Sequence, residues 1–116
     1  MADGAGRAEP PELRRLRKRI DTLDRRIVRL LNDRAELARA VGKVKTSNGR
    51  RAVRDAERER EVLLRVSIAN DGPTPQADLL AIFKRLFAVA RGLERRDRTR
   101  ARRAGPFGGV AGDDEP

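Results

Sequence analysis

Arginine at position 34 stands in a row where an aliphatic side chain belongs. Leu13, Ile20, Ile27 and Val41 recur at sevens along the same helical row. A guanidinium inside a bundle requires a charged or hydrogen-bonding partner, whereas one that snorkels outward along its apolar stem requires none. Lys45 follows eleven residues later, roughly 16 Å along a helix axis, so the two side chains can lean together over one small anion. Arg17 precedes Arg34 by seventeen residues, about 25 Å, and cannot readily reach that anion from its own chain. In an antiparallel pairing of two such helices, Arg17 of one chain falls near Arg34 of the other, which links ligand binding to dimerisation.

A second charged group follows. The stretch DAERERE brings Asp55, Arg58 and Glu59 to a helix opening. Charges at i,i+3 and i,i+4 can satisfy one another in water there, or they can line a cavity. Glu94 continues the row of Leu80 and Phe87, an acid after two apolar positions, or else marks a solvated helix end. All of these point to a short polar cavity within an apolar bundle. The chain has no cysteine and no histidine, which removes thiol nucleophiles, imidazole bases, disulfides and the usual zinc ligands together. What remains is fixed cations, carboxylates and hydrogen-bond donors, and no cofactor or metal is expected.

Three helices must position these groups. Over residues 13–45, Leu16, Leu23, Leu30, Leu37 and Val44 form a second row beside the first, without an internal proline. Pro10 and Pro11 suit the start, and Asn48-Gly49 the stop. Such a helix is a rod of roughly 50 Å, against a radius of gyration near 13 Å for a compact domain of about this size. Either it breaks near Gly42 or a second chain packs along it, and the expectation is the second chain. A second helix, capped by Asp55, carries a narrow stripe of Val62, Leu63, Val66 and Ala69. A third, opened by Thr74-Pro75 and ending near Arg96, is expected to bury Leu79, Leu80, Ile82, Phe83, Leu86, Phe87, Val89, Ala90 and Leu93. No alternating run suggests strands, so the fold class is all-α.

The 116 residues fit one domain. Residues 1–10 read as a flexible leader, 11–96 as the helical domain and 97–116 as a disordered basic, then Gly-rich tail. No export leader or membrane-spanning run is visible, and a cytoplasmic location is expected. The net charge of +10 favours anionic partners. Arg95, Arg96, Arg98, Arg100, Arg102 and Arg103 make the case for a basic helical dimer that binds nucleic acid. Against it, no nucleic-acid motif is present, and two of the three phenylalanines are assigned to the core.

The stretch LRRLRKRIDTLDRRIVRLLNDRAELARAVGKVK, followed by VRDAERERE, resembles the all-helical chorismate mutase family, most specifically in LRxxIDxLDxxIxxLLxxRxELAxxVGxxK and VRDxxRE. The resemblance covers residues 13–94. It implies a three-helix chain with a long first helix in an intertwined homodimer, whose two active sites are shared between chains. It implies the Claisen rearrangement of chorismate, a small dianion, to prephenate, on the way to phenylalanine and tyrosine. By the same resemblance Arg34 binds a substrate carboxylate, and Arg17 approaches from the other chain. Lys45 serves a carboxylate and the ether oxygen. Glu59 accepts from the ring hydroxyl with Asp55 assisting, and Arg58 orients the acids. Ala90 and Glu94 replace a serine and a glutamine common in bacterial members. An ionised Glu94 would repel charge growing on the ether oxygen, while the neutral acid would donate to it. An isochorismate pyruvate-lyase of the same fold shares the arginines and lysine, but the intact VRDxxRE favours the mutase. A larger enzyme of the same pathway is a further possible partner.

Overall fold

The computed structural model describes residues 9–50 and 54–113, with side chains as far as Ala104. The proposed leader therefore lies almost wholly outside the described residues, as does Val53 of the second motif. Three helices follow in order: α1 (Pro11–Ser47), α2 (Ala56–Ala69) and α3 (Gln76–Asp113). Among the described residues there is no strand, and no helix is long and apolar enough to cross a membrane.

Helix α1 runs through Gly42 without a break. Pro11 stands at its first position, where a missing N–H is harmless, and the Pro10 carbonyl accepts from Arg14 N at 3.1 Å. At the other end, Arg50 N returns to the Lys45 carbonyl (2.8 Å) and Gly49 N to that of Thr46 (3.0 Å). Gly49 adopts φ 80°. This is the Schellman arrangement, in which a left-handed residue lets the last carbonyls find donors. The expected Asn48-Gly49 stop is thus where α1 ends.

The chain divides into two units, Met1–Arg34 and Ala35–Pro116. In the first, the α1 side chains Leu16, Ile20, Leu23, Ile27 and Leu30 are all exposed, each by about half or more. A helix cannot bury its own apolar stripe, so this face is complete only against another element.

The second unit holds the last turns of α1 with α2 and α3. Asp55 caps α2, its carboxylate accepting from Arg58 N at 3.0 Å. The α2–α3 turn is built on Asn70, whose side chain accepts from Gly72 N (2.9 Å) and donates to the Thr74 carbonyl (3.1 Å). Helix α3 starts one residue later than the sequence suggests, with the Pro75 carbonyl rather than Thr74 at the cap, accepting from Leu79 N at 3.0 Å. Phe87 is buried, at 6% exposure. Leu79, Leu80, Phe83, Leu86, Ala90 and Leu93 of α3 and Val62, Leu63 and Val66 of α2 are half-buried around it.

Two expectations are corrected here. Ile82 and Val89 are not buried, being 51% and 42% exposed. Each sits about 100° around the helix from its neighbours Phe83 and Ala90, and so faces away from their side of α3. Nor does the third helix end near Arg96, since α3 continues to Asp113. Arginine and alanine are good helix formers. The first turn beyond Arg96 is also tied down, Asp97 to Arg39 and Arg98 to the Arg50 carbonyl.

Candidate active site

Among the described residues, the buried polar side chains are Lys45 and Glu94, at 9% and 7% exposure. Lys45 projects from the last turn of α1 and Glu94 from α3, and Lys45 Nζ stands 3.6 Å from Glu94 Oε1. That separation is an ion pair rather than a hydrogen bond, and Glu94 Oε1 has no hydrogen-bond partner among the described residues. A buried carboxylate oxygen in that condition is costly and well placed to meet a donor.

Gly42, also buried, explains how the two helices come so close. A Cβ built there would lie 2.9 Å from Glu94 Cγ and 3.3 Å from its Cδ, so any side chain at this position would force Glu94 to move. One turn further along, Arg39 grips Asp97 with two bonds, Nε to Oδ2 at 3.0 Å and Nη2 to Oδ1 at 3.2 Å. The Asp97 bond first, then its charge and that of Glu36, raises the Arg39 guanidinium above its ordinary range. Gly42, Thr46, Glu94 and Asp97 help line a cleft of about 270 Å³ between the end of α1 and α3.

A second cleft of about 270 Å³ opens between α2 and α3, lined by Arg54, Glu59, Leu63, Lys84, Phe87 and Arg91. Glu59 is its acid. Arg91 Nη1 donates to Glu59 Oε2 at 2.5 Å, and Arg54 Nε stands 3.5 Å from Oε1. Among the described residues no cluster of acids could hold a metal ion.

The other residues singled out in the sequence are placed as follows, and some differ from expectation. Ala90 lies one turn before Glu94 on α3, half-buried. Arg34 is half-buried at the end of the first unit. Arg17 is exposed and paired with Glu9 at 2.5 Å. The Asp55 carboxylate is engaged in capping α2. Arg58 donates to Glu61 Oε1 at 2.6 Å, so the acid it holds is Glu61 rather than Asp55 or Glu59. This bond first, with the Arg65 charge next, keeps the Glu61 carboxyl below its ordinary range.

Sequence reasoning missed Arg39, Gly42, Arg91 and Asp97. A signal for one existed: Asp97 continues the apolar row of Phe83, Phe87 and Ala90 past Glu94, the same departure from pattern that marked Arg34.

Comparison with known proteins shows the family. Residues 16–95 match the family model described as chorismate mutase type II. The bifunctional chorismate mutase/prephenate dehydratase of Aquifex aeolicus is 37% identical over 89 residues, covering 73% of this chain and 24% of that protein. The protein of the same description from Neisseria gonorrhoeae is 40% identical over 79 residues, 68% of this chain and 21% of that one. The chain thus spans about a quarter of the length of these curated relatives. Among solved structures, chorismate mutase (form II) of Thermus thermophilus superposes with a TM-score of 0.70 at 34% identity. That match covers 73% of this chain and 96% of the other. A conserved hypothetical protein of Pyrococcus furiosus gives 0.61 at 31% identity, over 74% and 99% of the two chains. With a family match across most of its helical region and a whole solved relative laid along it, this chain belongs to the chorismate mutase type II family.

Proposed function

We propose that the chain is a cytoplasmic chorismate mutase, converting chorismate to prephenate by Claisen rearrangement, as a homodimer with two sites each completed by both chains. The observation that carries this reading is the buried Lys45–Glu94 pair, closed over Gly42, in a chain of this family.

The reaction is unimolecular. One C–O bond breaks, one C–C bond forms, and partial negative charge grows on the ether oxygen. Catalysis therefore requires a folded substrate conformer and fixed positive charge or donors at that oxygen. Lys45 supplies a compact ammonium for a substrate carboxylate and the ether oxygen. Glu94, 3.6 Å from it, acts as the neutral acid and donates to the same oxygen, since its carboxylate would oppose the growing charge. Substrate binding thus replaces the Lys45–Glu94 ion pair by contacts of each with substrate. Arg34 binds one carboxylate, and Arg17 of the partner subunit reaches the other. Glu59, steadied by Arg91, accepts from the ring hydroxyl. Asp55 holds the start of α2, while Arg58 adds to the positive field. The open apolar face of α1 is the surface that supports pairing with a second copy.

The test is to offer chorismate and isochorismate separately to the purified protein. The reading expects loss of the chorismate diene with formation of prephenate. Release of pyruvate from isochorismate, with chorismate untouched, would assign the lyase instead.

A further inference from the structure

The contact of α1 with α3 is made without a buried apolar side chain among the described residues. Its buried residues are Gly42, Lys45 and Glu94, while the buried hydrophobic residue, Phe87, lies seven positions earlier on α3. Interdigitating side chains ordinarily fix how far one helix slides along another. Glycine against a flexible acid does not. At this contact the register must come from something else, and a displacement near 1 Å at a reacting site can cost about a hundredfold in rate.

Arg39 and Asp97 provide it. They lie three residues before Gly42 and three after Glu94, so their contact is one turn, about 4.5 Å, from the Gly42–Glu94 contact on both helices. The bond is a two-point fork, at 3.0 and 3.2 Å, which fixes orientation as well as distance. The side chains are 34% and 24% exposed, so the pair is better shielded than a surface bridge. Glu36 Oε2, 3.7 Å from Arg39 Nη1, steadies the fork from within α1. Asp97 stands beyond residues 16–95, the segment that matches the family.

We infer that Arg39 and Asp97 are positioning residues, a clamp that sets the register of α3 on α1 and thereby the approach of Glu94 to Lys45. The clamp touches no substrate, and its effect on turnover rests on the mutase reading above.

Charge-conserving variants test it. Arg39→Lys and Asp97→Glu keep both charges of the pair but break the fork. Two quantities are read on each folded protein: kcat and KM for chorismate, and the Lys45 Nζ to Glu94 Oε1 separation in its crystal structure. The clamp predicts that kcat falls about tenfold with KM within about twofold. It also predicts that the separation lengthens from 3.6 Å. The exchanged pair, Arg39→Asp with Asp97→Arg, should recover part of kcat. An unchanged separation, with any loss of rate matched by loss of folded protein, would overturn the inference. If the wild type converts no chorismate, the mutase reading falls and the separation alone decides: a longer one in either variant upholds the clamp, and an unchanged one overturns it.

Discussion

On the proposed reading, Glu94 carries one charge too many for the chemistry at the ether oxygen if it stays ionised, and Lys45 beside it supplies the cation for that oxygen. The two can therefore be told apart by mutation. Replacing Lys45 by Met, of similar length without charge, should lower kcat by about 10²–10³, the usual cost of one preorganised group at a developing oxyanion. Glu94→Gln keeps a donor at every pH. The proposed neutral-acid role expects wild-type turnover to fall as pH rises, whereas the Gln variant should hold its rate across the same range. Steady-state kinetics over a pH series checks this, and a wild-type profile retained by the variant would remove Glu94 from the role. Arg58 and Glu61 offer a contrast. Glu61 titrates below its ordinary range, so any stability from that pair is present above the unfolded range and lost as pH falls through the lowered one. Because the pair is exposed, Glu61→Gln should leave thermal stability at neutral pH nearly unchanged.

Where α1 meets α3, Gly42 does for the backbone what Lys45 and Glu94 do for charge. Gly42→Ala suits an isolated helix better but places a methyl group 2.9 Å from Glu94 Cγ. It should preserve the helical circular dichroism signal while cutting kcat/KM at least tenfold, as Glu94 is pushed from Lys45. Phe87→Ala, by comparison, should act on folding, costing about 3–5 kcal/mol in a denaturant titration. The long α1 was legible because its apolar rows, proline start and Asn48-Gly49 stop are local signals that all agree. Arg34 was legible as a break in one of those rows, Glu94 as a break in the row of Leu80 and Phe87, and Lys45 by its spacing from Arg34. Arg39 and Arg91 were not, because a charge on an arginine-rich helix looks the same in sequence whether it faces water or an acid on another helix, and Asp97 showed only as a continuation of the row of Phe83, Phe87 and Ala90. The extension of α3 was obscured in the same way. The arginines that read as a tail are also strong helix formers, and Asp97 and Arg98 find partners 58 and 48 positions away. Removing residues after Ala104 should consequently leave turnover within about twofold, while a cut at Arg96 also takes away the clamp.

At the level of the whole molecule, a single chain leaves Leu16, Ile20, Leu23, Ile27 and Leu30 exposed, and Arg17 is exposed and paired with Glu9 among the described residues. Both facts would be resolved by the proposed second copy along α1, which would cover the apolar face and bring Arg17 of the partner subunit to the dianion. A net charge of +10 should draw that substrate in, so KM should rise with ionic strength as the field is screened. The shared site is tested most directly by mixing two defective proteins. Arg17→Ala and Lys45→Ala homodimers should each be nearly inactive. Unfolded together and refolded, they should regain about a quarter of wild-type turnover, because half the dimers are mixed and each has one site free of both defects. A mixture no more active than its parents, in dimers shown by mass to have exchanged, would contradict a site built from two chains.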